Sequence, residues 1–363
     1  MNPTGTVGNS PIQSIIGATV ATLAGVAGVV WEQGNAYYIR GVPLSEPGDT
    51  IKLGGGPVEG YRRRPFLLFD ALVSPSDAGN HVLLEPDEVT EGYHIRRVTL
   101  NPSTGSISWR AGVSSGYFSL PVSAAALHSS GRVVAVHTDF GRLAWLTPVE
   151  TARPPLAAYT AGPGSQIGLL QSPVSIAVTN PGVVLVLEAG AAQVSAFDLN
   201  GHPLPYFQAS SSTSLLGRPR KKRAALAAGD LQYSMPLVSA GTYLDIAVDG
   251  AGQIYALYFT GDGSDPQDYQ VDVYTQAGVP LDTSSPGVNI ARLAVDYWRS
   301  IYGANFSALS DLGTSKPHAS SGLKVLEPSL SRFDPSTPSL GSRKRPGKAR
   351  RRRHHGHQKR ATR

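Results

Sequence analysis

The chain has 363 residues, 41% of them hydrophobic, which is enough for a substantial core, and no cysteine, which excludes disulfides, thiolate metal sites and a cysteine nucleophile. Gly 40 and Pro 28 against a charged fraction of 16% suit many short strands joined by turns better than long helices. Of the 32 Lys and Arg, eleven lie in the last 23 residues and five in Arg218–Arg223. The other 16 face 26 acids, so the body carries about −10, which argues against a nucleic-acid-binding surface on the folded part.

In chain order, residues 1–14 read as a flexible N-terminus. Ile15 to Trp31, "IIGATVATLAGVAGVVW", is apolar like the middle of a signal peptide, but the first basic side chain is Arg40. It is short and rich in Gly, Ala and Thr for a spanning helix, so buried β-structure is expected. Five segments then repeat one pattern, an apolar triplet, a polar turn and a second apolar strand. They are "ALVSPSDAGNHVLL" from Ala71, "AALHSSGRVVAV" from Ala125, "IAVTNPGVVLVL" from Ile176, "IAVDGAGQIYAL" from Ile246 and "LAVDYWRSIYGA" from Leu293. Most continue into a third strand, such as "AQVSAFDLNGHPL" from Ala192 and "YQVDVYTQAGVPL" from Tyr269. A strand-only unit recurring about every 50 residues predicts an all-β fold, a six-bladed β-propeller over residues 15–340. The blades are expected near 20–60, 66–110, 120–150, 172–207, 243–283 and 291–335. A basic insertion loop, 208–232, separates the fourth from the fifth, and 341–363 form a disordered Arg/Lys/His-rich tail. A ring must close, so the N-terminal strand is expected to pair with the last blade.

Ser172 to Phe207, "SPVSIAVTNPGVVLVLEAGAAQVSAFDLNGHPLPYF", resembles an NHL repeat, with a leading Pro173, the Ile-Ala-Val strand, a Gly turn and a "V-x-x-F-D-x-x-G" third strand. The segment from Tyr243 is similar. The resemblance covers two blades well and implies a propeller. In the family an Asp after the second strand sits near a basic residue opening the third. Here Glu188 and Gln193 take those places, and blade five has Tyr258.

"GRPRKKR", Gly217 to Arg223, resembles an AT-hook core, but Leu216 stands where another Arg is usual, and a solvated insertion is the favoured reading. Polyanion contacts are assigned to Arg218, Arg220, Lys221, Lys222 and Arg223 and to Arg350, Arg351, Arg352 and Arg353 of the tail, whose partners would be an anionic polymer or lipid surface. Sequence-specific DNA binding is not expected. Asp249, Asp296 and His128 follow their apolar triplets and are the candidate ligands for a divalent cation, because similar positions hold a metal in gluconolactonase-like propellers. Ser74 and Thr179 interrupt such a ring, so hairpin-turn roles are favoured and no cofactor is expected. Asp262, Asp265 and Asp268 read as a long hairpin with an Asx-turn rather than a calcium loop, and His137 with Asp139 as ordinary packing or turn residues. No nucleotide or hydrolase fingerprint is present.

The expected function is a non-enzymatic, monomeric binding or scaffold propeller that takes a protein or polymer ligand at one face. The alternative is a metal-dependent hydrolase or lyase of gluconolactonase type, and the third reading is nucleic-acid association through loop and tail. By analogy with tailed envelope propellers, a cell-envelope or secreted location is favoured.

Overall fold

A computed structural model describes residues 12–21, 23–43, 51–52, 59–70, 81–110, 112–137, 139–149, 155–208, 231–261, 265–286, 290–297, 299–308 and 326–333. These form a β-propeller of six antiparallel sheets in sequence order. The first blade holds β1 (Ile12–Ala21), β2 (Val26–Gln33) and β3 (Ala36–Pro43), with β5 (Glu59–Tyr61) outermost; β4 (Ile51–Lys52), between β3 and β5 in sequence, belongs elsewhere. The second holds β6 (Phe66–Leu68), β7 (His81–Pro86) and β8 (Tyr93–Leu100), and both β9 (Ile107–Trp109) and β10 (Gly116–Phe118) pair with β8. The third is β11 (Ala124–Leu127), β12 (Val133–His137), β13 (Arg142–Leu146) and β14 (Ala158–Thr160). The fourth runs β15 (Pro173–Val178), β16 (Val184–Glu188) and β17 (Gln193–Phe197), then a ribbon of β18 (Phe207–Gln208) and β19 (Leu231–Gln232), then β20 (Ser234–Pro236) against β17. The fifth is β21 (Thr242–Val248), β22 (Ile254–Phe259), β23 (Tyr269–Tyr274) and β24 (Pro280–Ser284). The sixth is β25 (Ile290–Val295), β26 (Ile301–Ala308) and β27 (Leu326–Phe333), completed by β4.

Three expectations are corrected. Closure comes not from the N-terminal strand, which is the inner strand of blade one, but from β4, whose Ile51 and Lys52 pair with Leu330 and Ser329. The inner strand of blade two is Phe66–Leu68, not the triplet at Ala71, which lies outside the described residues. The basic insertion is inside blade four, between its third and outer strands, rather than between blades four and five. The apolar stretch from Ile15 is β-structure as expected, forming most of β1 and β2, and Val26–Trp31 is buried throughout.

Six apolar clusters fill the fold, each between two neighbouring blades. In β16, Leu185 and Leu187 pack towards blade five, whereas Val184 and Val186 pack towards blade three. In β22, Ile254 and Ala256 face blade four while Tyr255 and Leu257 face blade six. Period-two alternation thus sends apolar side chains to both faces, which is why the second strands read as unbroken apolar runs. Within blades, Gln193 Nε2 donates to Glu188 Oε1 at 3.1 Å, and Tyr258 donates to Gln270 Oε1 at 2.7 Å, so both blades keep a polar bond without an ion pair.

If β4 latches the ring, Ile51→Pro, which removes a main-chain donor from its two-residue ladder, lowers unfolding free energy by about 1 kcal/mol. Urea denaturation of the full chain measures it, and an unchanged midpoint would count against the latch.

Candidate functional site

The inner strands β1, β6, β11, β15, β21 and β25 surround a central cavity of about 240 Å³. Its two ends differ. Where the inner strands finish, one turn recurs in blades three to six, starting at His128, Thr179, Asp249 and Asp296. In each, the first residue's N–H donates to the carbonyl four residues on (2.9, 2.9, 3.2 and 3.0 Å), and the N–H three residues on returns to its own carbonyl (2.8, 2.9, 3.0 and 3.2 Å). The fourth residue has φ of +82° at Gly131, +88° at Gly182, +77° at Gly252 and +77° at Arg299. Glycine meets that requirement without Cβ strain, and Arg299 does not.

The candidate metal ligands are consumed by these turns. Asp249 Oδ1 accepts from Ala251 N and Gln253 N, and its Oδ2 accepts from the Tyr255 hydroxyl and pairs with Arg299 Nε at 3.2 Å. Asp296 Oδ1 accepts from Ser300 N at 2.7 Å, as Thr179 Oγ1 does from Val183 N. His128 is bonded through Nδ1 to Ser130 Oγ and through Nε2 to the Asn180 carbonyl. Among the described residues no three His, Cys, Asp or Glu side chains converge, so the set proposed for a divalent cation does not fit one. The turn readings of Asp265 and His137 hold as well. Asp265 Oδ1 accepts from Gln267 N, and His137 Nδ1 accepts from Phe140 N. The polyanion candidates Arg218–Arg223 and Arg350–Arg353 lie outside the described residues.

Where the inner strands begin, four of them carry a register shift against their second strands. The residues skipped there are Ile16, Val174, Leu244 and Ala291 in β1, β15, β21 and β25, and β1 shifts once more between Ile12 and Ser14. A bulge takes a residue out of the ladder and frees its main-chain groups. Arg292 collects three of the carbonyls, donating through Nε to Ile16 O at 3.1 Å and through Nη1 to Ala291 O at 3.0 Å and Leu244 O at 3.5 Å. Arg64, just before β6, donates through Nη2 to the same Ile16 carbonyl at 2.6 Å, and its guanidinium lies 4.6 Å from the Phe66 ring centre. Asp245 accepts from Ser175 Oγ at 2.5 Å and Leu293 N at 2.9 Å, tying blade five to blades four and six. Burial and the neighbouring Arg292 push Arg64 down to about 10, while burial pushes the nearby Tyr93 phenol up to about 12.

Sequence reasoning missed Arg64, Ser175, Asp245 and Arg292. The signal was a charged residue set in an apolar inner strand, in "YLDIAV" and "NIARLAV", where neither face offers solvent.

The site and the sheets together define a six-bladed propeller with a charged channel. No family profile and no curated protein matches the sequence. Among solved structures, the chain is similar to a catalytically inactive virginiamycin B lyase from Staphylococcus aureus with quinupristin, at 10% identity and a TM-score of 0.46, covering 91% of this chain and 97% of that one. It is also similar to the calcium-binding protein regucalcin from Agrobacterium tumefaciens (13%, 0.41, covering 89% and 92%) and to a putative gluconolactonase (12%, 0.42, covering 90% of each). Likeness of this degree decides neither activity nor ligand.

Two stability tests separate the turn roles. Asp249→Ala leaves two turn amides and the Tyr255 hydroxyl without their acceptor, and urea denaturation is expected to show a loss of about 2 kcal/mol. Arg299→Gly relieves about 1 kcal/mol of left-handed strain but takes the cation from a fully buried Asp249 carboxylate, so a net loss of stability is expected in the same assay.

A third test uses pH. His81 accepts the Asp70 amide at Nδ1 and is buried, which lowers its pKa despite the Asp70 charge. The folded state therefore favours neutral His81, and that stability is present above the ordinary histidine value and lost as pH falls through it. Denaturation free energy is expected to drop between pH 7.5 and 5.5, and to drop less in His81→Gln.

Proposed function

We propose that the protein is a non-enzymatic, NHL-type binding propeller whose ligand occupies the central channel. One observation carries this reading: Ser175, Asp245 and Arg292 on inner strands, with Arg64 leading into a fourth, bring charged and polar side chains from four blades to one end of the cavity. A rigid ring holding convergent polar groups at a concave site suits recognition. The basic tracts would then act separately, as tethers to an anionic polymer or lipid.

The second reading is a metal-dependent hydrolase or lyase. The names of the similar solved structures fall on its side, since a lyase and a putative gluconolactonase are among them. Against it stands the chemistry of the donors, because Asp249, Asp296 and His128 are each tied into their own turn, and His128 also to the next blade's turn at Asn180.

Hydrogen exchange of the full chain with small-molecule ligands found by thermal shift tests the proposal, with bound metal quantified in the same sample. Protection confined to the inner strands, without a stoichiometric metal, is expected. Protection of outer strands alone would overturn the channel site, and a tightly held metal with turnover of a lactone would install the enzyme reading.

A further inference from the structure

We infer that the Arg64–Arg292 end of the channel binds the oxyanion of a small molecule, a carboxylate or a phosphate. The inference rests on the channel being the ligand site. Both guanidiniums reach the Ile16 carbonyl, so two positive charges lie within one carbonyl's reach of each other inside a cavity. Among the described residues neither forms an ion pair. Asp245 is the acid on the same wall, but its oxygens are already committed to Ser175 Oγ, Ile246 N and Leu293 N.

Donors remain. A guanidinium offers five N–H groups. Arg64 places one Nη on Ile16, and its buried Nε has no acceptor. Arg292 uses Nε and one Nη on carbonyls, and among the described residues its second Nη has no acceptor of its own, so donors stay available. A carbonyl satisfies geometry without cancelling charge, so the pair is held in place with Asp245 offsetting only part of its two positive charges. The lowering of Arg64 by Arg292 is the same repulsion seen from the protonation side. An anion bridging both forks would offset it, and the bulge carbonyls have already fixed one partner of each bond. The cavity is smaller than the roughly 300–1,000 Å³ typical of drug-sized ligands, which points to a compact acid rather than a polymer.

Calorimetry of the full-length protein at low ionic strength, with malonate, inorganic phosphate and neutral malonamide as probes, tests the inference. Saturable one-to-one binding of malonate or phosphate is expected, the tighter of the two identifying the oxyanion, with none for malonamide. Arg64→Gln is chosen because Arg64 holds one backbone carbonyl where Arg292 holds three. It should weaken anion binding at least tenfold with little change in melting temperature, and Arg64→Lys, which keeps the charge but loses the fork, should fall between. Equal binding in wild type and Arg64→Gln, or an equal response to sodium chloride, overturns the inference. If no anion binds while a neutral compound still protects the inner strands, this inference fails and the channel site stands. If no compound protects the inner strands, the channel site itself fails.

Discussion

A sheet that is apolar on both faces cannot bury itself. Every blade here has that character, because alternate residues of the second strands point into different inter-blade clusters, Leu185 and Leu187 one way and Val184 and Val186 the other. At about 25 cal/mol for each Å² removed from water, leaving one face open would cost more than a domain's whole margin of stability. The only arrangement that covers all twelve faces is a closed ring. The short β4 matters for this reason: it is two residues long, yet it covers the outer edge of the blade at which the ring meets itself.

Closing the ring creates the channel and the problem of what lines it. The inner strands pair on one side only, so their other edges face the cavity. Bulges at Ile16, Val174, Leu244 and Ala291 interrupt the ladder at a common level, and Arg292 gathers three of the carbonyls there. A side chain from blade six thereby bonds backbone from blades one and five, and Asp245 joins blades four and six to blade five. Apolar contact between blades tolerates sliding, and these directional bonds, with others such as His128 to the Asn180 carbonyl and Phe69 N to Thr19, set blade heights against one another.

The sequence made the second strands and their turns legible because both are written locally, as apolar runs and as Gly, Asn or Asp at turn positions. The inner strand of blade two was not legible. "FLL" and "ALV" are equally apolar, and a strand buried on both faces leaves no alternation to choose between them. The closing strand is too short to have a period, and the outer strand "SMP" after the basic insertion is equally brief, so neither the latch nor the insertion's place within blade four could be read. For the site, Asp249 and Asp296 were found as acids in the right column, but the same column holds Thr179 and His128. What unites the four is the turn they begin, whose donors sit on the main chain and are invisible as residue types.

The two ends of the channel therefore follow from how backbone is satisfied. At the turn end, each side chain takes amides of its own hairpin. Each such bond is worth about 1 kcal/mol net, and its loss is local. Arg299 tests how firm that requirement is, since it holds a left-handed conformation where its three counterparts are glycine and uses its side chain on Asp249 of the next blade. At the bulge end, neutral carbonyls are served by charged donors, so the carbonyls are satisfied while guanidinium donors and charge are left over. Two guanidiniums against the single carboxylate of Asp245 leave a net positive charge that water or an anion at the site would offset. Regular pairing makes the ring, and the level at which that pairing breaks is where the ring has charge to offer a ligand.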